Sequence, residues 1–168
     1  MLFRSAFGIH SDGSLSPFDE QSTLGSAPCH LAFGPDGHAL FVANYTSGNL
    51  VRFPIRSDGG LDAASGNFQN KGSGPNARRQ AGPHMHAVIP GPNGVVMSCD
   101  LGTDQVLVLN AKAKDLTADS SRSGASAPGA GPRHLALGPG GHFLYTCNEL
   151  DSTISAYVVD AHGDRKST

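Results

Sequence analysis

Arg133, His134, Asn148 and Glu149 stand at the two ends of one stretch, Pro132 to Leu150, in which two apolar runs flank Gly138-Pro139-Gly140-Gly141. A Gly/Pro turn between such runs is a β-hairpin signal, and a hairpin brings its open ends together. An imidazole and a carboxylate can move protons, and a guanidinium can hold an anion. With His134 opposite Asn148, the hairpin sets Arg133 opposite Glu149. Cβ atoms roughly 4.5–5.5 Å apart there allow a charge-assisted pair. A second group is Pro83-His84-Met85-His86, preceded by Arg78-Arg79-Gln80. Its histidines alternate along a strand and point to opposite faces, which does not make a ligand set, so the reading is no metal and no cofactor. Arg78 and Arg79 read as a solvated loop with a possible anion contact.

What must position these residues is a repeat. His30 precedes Asn44 by fourteen residues, His86 precedes Asp100 by fourteen, and His134 precedes Asn148 by fourteen. Between them lie Gly34-Pro35-Asp36-Gly37, Gly91-Pro92-Asn93-Gly94 and Gly138-Pro139-Gly140-Gly141. The middle copy has one extra residue before its turn and one fewer after it. A third strand follows each copy, at Asn49 to Ile55, Gln105 to Leu109 and Thr153 to Val159. The N-terminal Phe7 to Leu15 repeats the pattern that runs from the first of these into Leu61. Spacings of 56 residues from His30 to His86 and 48 from His86 to His134 fit propeller blades, whose periods run ~40–50 residues with about four short strands each. A plain meander or sandwich shares the Gly-Pro turns but does not require one spacing in three places.

The expected fold is therefore all-β, a β-propeller of about three blade equivalents forming an incomplete ring. One partial domain covers residues 1–168: the end of one blade at 1–24, blades at 25–70 and 71–120, and most of a further blade at 121–168, stopping after a third strand at Asp160 to Gly163. Such an arc leaves apolar faces and strand edges uncovered. It calls for missing blades, or for self-association, to close the ring.

The rest of the composition excludes more than it assigns. Net charge is -2, with basic residues scattered apart from Arg78-Arg79, so there is no basic footprint for nucleic acid or an acidic membrane. No apolar run approaches the ~20 residues of a membrane span, and the N-terminus lacks a signal-peptide core. The three cysteines lack metal spacing and read as small buried fillers, free thiols of a reducing, cytoplasmic compartment. His10, His38, His142 and His162 fall at turns and read as solvated. In a propeller the first strand of each blade lines the channel, so all three frames present polar residues to one mouth, as a small-molecule site needs. His30 reads as a structural, hydrogen-bonded histidine. Arg133 and Glu149 break the repeat, since the matching positions hold Cys29 and Tyr45, then Met85 and Leu101.

The ordered set Ala27-Pro28-Cys29-His30-Leu31, Val42-Ala43-Asn44-Tyr45, Gly72-Ser73-Gly74-Pro75-Asn76, Arg79-Gln80, Pro83-His84-Met85-His86, Asp100-Leu101-Gly102-Thr103-Asp104, Gly131-Pro132-Arg133-His134 and Asn148-Glu149-Leu150-Asp151-Ser152-Thr153 resembles the seven-bladed propeller lactonases. That family includes propeller-type 6-phosphogluconolactonases and carboxymuconate cyclases. The resemblance spans nearly the whole chain, though family members are about twice as long. It implies lactone chemistry on a small anionic sugar lactone, with His86 (or His84), Arg133 and Glu149 as catalytic residues and a later arginine that this chain does not contain. Lactone hydrolysis needs a base for water and a stabiliser for the oxyanion. On that view His86 or Glu149 is the base, and Arg133 clamps the oxyanion or a substrate anion. Arg79, His84 and His134 bind substrate, and Asp100 faces His86 and orients it. A cycloisomerase using the same residues, and a non-catalytic binding propeller, are the competing readings.

Overall fold

The structure is a computed structural model and describes residues 3–159 and 165–167. Strands β1 (Phe3–Ile9) and β2 (Leu15–Ser22) pair as a two-stranded sheet. Three four-stranded sheets follow. The first holds β3 (Pro28–Phe33), β4 (Ala39–Asn44), β5 (Asn49–Pro54) and β6 (Gly66–Gln69). The second holds β7 (Met85–Pro90), β8 (Val95–Asp100), β9 (Gln105–Asn110) and β10 (Gly124–Ala125). The third holds β11 (Pro132–Leu137), β12 (Phe143–Asn148), β13 (Thr153–Val159) and β14 (Arg165–Ser167). Each is an antiparallel meander in chain order, which is the blade topology expected of a propeller. The stop expected after a third strand, at residues 160–163, lies outside the described residues, and β14 beyond it gives this sheet a fourth strand.

The sheets stack face to face, and burial along the second strands shows how. β4 and β8 are buried at every position, whereas β12 alternates exposed and buried. A strand covered on both faces reads as a continuous apolar run, and one covered on a single face alternates. Phe41, Leu50, Met85, Val88, Leu107 and Leu109 close the gap between the first two blades. Met97, Val106 and Val108 meet Leu144, Tyr157 and Val159 between the second and third. The outer face of the third blade carries Phe143, Tyr145 and Ile154 in the open, and β3 likewise exposes Leu31 and Phe33. The described sheets thus form an arc rather than a closed ring.

The first two strands of each blade carry a register correction that decides the site. Asn44, Asp100 and Asn148 pair with Pro28, Met85 and Pro132, not with His30, His86 and His134. His30 and His134 pair one rung further in, with Ala43 and Cys147, and Ala87 pairs with Cys99. One residue is left over in each inner strand: Cys29, His86 and Arg133. A β-bulge of this kind re-aims the extra side chain and recurs beside active sites. Arg133 therefore does not sit directly across from Glu149. His86 is the structural equivalent of Arg133, not of His134. The middle hairpin turns through Pro92–Gly94 and β8 begins four residues after Gly91, where β4 and β12 begin five residues after Gly34 and Gly138. Equal fourteen-residue spacing therefore hides a one-residue slip.

Repeat equivalence gives a stability prediction. Met97 and Tyr145 occupy the same place in β8 and β12, but Met97 is fully buried and Tyr145 is 41% exposed. Met97→Ala should cost about 2–5 kcal/mol and Tyr145→Ala less than about 1 kcal/mol in urea unfolding. Equal costs would contradict an uncovered outer face.

Candidate active site

Each blade fastens its rim in the same way. The backbone N–H of Tyr45, Leu101 and Glu149 donates to the carbonyl of Ala27, His84 and Gly131, respectively, at 2.8–3.0 Å. The side chain just before that residue is buried and bonded in each blade: Asn44 Nδ2 donates to the Thr23 carbonyl (3.0 Å) and Asn148 Nδ2 to the Thr153 and Ser155 hydroxyls (2.9 and 2.8 Å). Asp100 is fully buried, and its carboxylate accepts from the backbone N–H of His84 (2.7 Å) and Gly102 (2.9 Å) and from Asn70 Nδ2 (2.7 Å). Asp100 is thus not the partner of the His86 ring: it pairs with Met85, and its oxygens shape the backbone before the bulge. Burial pushes its carboxyl upward, opposed by those hydrogen bonds. Its place in a substrate-binding set is corrected to that of a rim fastener.

Thiols reach the bulges from the preceding blades. Cys29 Sγ donates to the His86 carbonyl at 3.2 Å, and Cys99 Sγ to the Arg133 carbonyl at 2.8 Å. Burial pushes the Cys99 thiol up. Only Cys99 is buried; Cys29 and Cys147 are exposed, so the expectation of three buried fillers fails for two of them.

The bulges bring His86 and Arg133 side by side from adjacent blades. Arg133 Nε donates to His86 Nε2 at 2.8 Å and lies 3.0 Å from Glu149 Oε2. Glu149 Oε1 accepts from Arg79 Nη2 at 2.5 Å, and the same Nη2 donates to the Tyr45 hydroxyl at 3.2 Å. One carboxylate therefore bridges two guanidiniums. Its partial burial favours the neutral acid, but the Arg79 hydrogen bond and the charges of Arg79 and Arg133 outweigh that and hold it below its usual range. His86 is pushed down to about 4, first by burial and then by the Arg133 charge. It is a neutral imidazole with Nε2 accepting and Nδ1 carrying the proton, and Nδ1 is buried with no partner among the described residues.

The other predicted residues divide. His84 turns away from the ion pairs, with Nδ1 donating to the Tyr45 carbonyl at 2.9 Å and its ring stacked on Tyr45 at 4.5 Å. His134 stands edge-on to His86 at 5.1 Å and to His30 at 6.1 Å, so the inner strands β3, β7 and β11 bring three imidazoles to one place.

Three residues that the motifs above contain take roles the motifs do not assign. Tyr45 touches Arg79, His84 and His86; its departure from the repeat was the available signal. Gln80 is fully buried and anchors the loop that carries Arg79, donating to Leu101 O (2.9 Å) and Asp104 Oδ1 (2.7 Å). Asp104 also accepts from the backbone N–H of Gly129 and Gly131. It sits at φ +56°, in the turn place taken by Gly48 (+67°) in the preceding blade.

Bulged four-stranded sheets stacked about a shared mouth define a β-propeller. The sequence matches the family described as "Lactonase, 7-bladed beta-propeller" over residues 4–167. The chain belongs to that seven-bladed lactonase family. It is 34% identical to the 6-phosphogluconolactonase of Bacillus subtilis over 147 residues, covering 87% of this chain and 41% of that protein. It superposes on a candidate 6-phosphogluconolactonase of Bacteroides fragilis with a TM-score of 0.89 at 37% identity, covering 99% of this chain and 49% of that one. The periplasmic gluconolactonase of Pseudomonas aeruginosa gives a TM-score of 0.87 at 26% identity, covering 99% and 48%. The chain spans less than half the length of these relatives.

A buried histidine held near 4 gives a pH signature. Its folded pKa lies below the unfolded ~6.5, so the unfolded chain binds the proton first. The stability due to neutral His86 is complete above about pH 6.5 and is lost as pH falls toward 4. Across that window wild type should lose on the order of 2–3 kcal/mol more than His86→Gln, read as Tm against pH. Parallel curves would contradict a neutral, buried His86.

Proposed function

We propose that this chain carries the reacting face of a lactone hydrolase of the 6-phosphogluconolactonase type, converting 6-phosphogluconolactone to 6-phosphogluconate. The observation that carries the reading is the hydrogen-bonded line Arg79–Glu149–Arg133–His86. Cations for an anionic substrate stand there beside an uncharged base.

The resting geometry implies an order of events. With no ligand, Arg133 occupies the lone pair of His86 Nε2 and its charge depresses the imidazole. A lactone carbonyl or anion at Arg133 draws that N–H away, freeing Nε2 and raising its basicity. Water then attacks the carbonyl carbon and gives its proton to Nε2, while Arg133 stabilises the oxyanion. Collapse breaks the ring C–O bond, and the leaving oxygen takes the proton back from His86. The product is a hydroxy acid. Glu149, with each oxygen on a guanidinium, is poorly basic and serves to hold both arginines. His134, edge-on to His86, is left to line the channel against the sugar.

Among the described residues, no helix is long and apolar enough to cross a membrane. We infer a cytoplasmic setting from the substrate, since a phosphorylated lactone arises by oxidation of a sugar phosphate inside the cell.

Proton release from 6-phosphogluconolactone, measured in a pH-stat above the spontaneous background, tests the reading. His86→Gln should lower the catalysed rate about 10²–10⁴-fold, and Arg133→Met should lower kcat/KM by about 10²-fold or more. An undiminished rate in His86→Gln would remove the histidine as base.

A further inference from the structure

We propose that Tyr45 is a specificity-determining residue of this site, holding Arg79 as a separate arm for a phosphate so that phosphorylated lactones are preferred over uncharged ones. The ligand's identity rests on the lactonase reading; the placement of Tyr45 does not.

The repeat provides the first argument. Tyr45, Leu101 and Glu149 are the same rim position in three successive blades, each held by the same backbone hydrogen bond. The middle copy is apolar and fully buried. The outer two are polar, and both reach one guanidinium nitrogen, Arg79 Nη2, from the two sides. Two departures from the repeat that meet on a single atom are a built arrangement rather than surface drift.

Tyr45 is also held rigidly enough to aim its hydroxyl. Its N–H donates to Ala27, its carbonyl accepts from His84 Nδ1, and its ring stacks on His84 at 12° to the ring plane. Arg79 is secured from beneath: the Asn76 side chain accepts from the Arg79 N–H, and the neighbouring Gln80 is fixed in the buried Asp104 network. Backbone and fork are thus both positioned, and Arg79 loses less freedom when it takes a ligand.

The unused donors indicate the ligand class. Among the described residues, Arg79 engages partners through Nη2 and Arg133 through Nε. Among the described residues the remaining N–H groups of both forks make no hydrogen bond, and both side chains are nearly half exposed. Two planar forks flanking one carboxylate suit a substrate with two separated oxygen-rich groups. Arg133, against His86, takes the reacting carbonyl, and Arg79, against Tyr45, takes a phosphate, which matches a guanidinium fork bidentately.

The test uses Tyr45→Phe, which keeps the stacked ring and removes one oxygen. Inorganic phosphate binding is measured by isothermal titration, with KM and kcat for 6-phosphogluconolactone and for unphosphorylated gluconolactone. Phosphate affinity should weaken about three- to tenfold. KM for the phosphorylated lactone should rise by a similar factor and by more than that for the unphosphorylated substrate, so that the ratio of the two kcat/KM values falls about three- to tenfold. In an Arg79→Met background, Tyr45→Phe should have no further effect on phosphate affinity, which a merely structural role would not produce. Unchanged phosphate affinity in Tyr45→Phe, or no phosphate binding by wild type, overturns the assignment even if hydrolysis is normal. Tyr45-dependent phosphate binding without hydrolysis supports it and removes the lactonase reading.

Discussion

One surplus residue in each inner strand governs the mouth of this propeller arc. A ladder without the bulge would alternate side chains between blade faces, and His86 and Arg133 would point where strand pleating sent them. The bulge takes Cys29, His86 and Arg133 out of the ladder. Because it recurs in each blade, the freed residues of neighbouring blades come side by side. The 2.8 Å contact between Arg133 Nε and His86 Nε2 follows from that. The thiols of Cys29 and Cys99, which donate to the bulge carbonyls of the next blade, couple this irregularity to blade stacking.

Charge at the mouth follows from the same placement. Two guanidiniums share one carboxylate, leaving one positive charge over, and the imidazole beside them stays neutral because it is buried and next to a cation. Glu149 occupies the space between the forks that a substrate anion would favour, and it holds the arginines in place until one arrives. An ion pair this exposed adds little to folding stability. Its value lies in preorganisation, since donors already aimed at an anion need no reorganisation during the reaction.

Much of this was legible in the sequence. The repeat of apolar runs about Gly-Pro turns prescribes blades, and the departures at Arg133 and Glu149 mark the position where the cluster forms. Fourteen-residue spacing recurs across a shortened middle turn, so taken alone it sets the register one rung off. Anchoring the copies on Gly34, Gly91 and Gly138 would have aligned His86 with Arg133. The same slip sets Asp100 opposite His86, where the structure pairs it with Met85. Tyr45 is a third departure from the repeat and is marked in the sequence by that alone. Gln80 and Asp104 could not be placed by pattern, because their partners are loop backbone groups whose approach depends on how the blades stack.

The state of the His86 ring tests the central claim most directly. Long-range proton–nitrogen NMR of the imidazole, recorded at pH 5.5–6 without ligand, distinguishes the neutral tautomers from the cation. The account predicts a neutral ring protonated at Nδ1, with Nε2 as an acceptor, where an ordinary histidine would be largely charged. A doubly protonated ring at that pH would contradict it, because Arg133 could not then donate to Nε2 and the line from Arg79 to His86 would be broken.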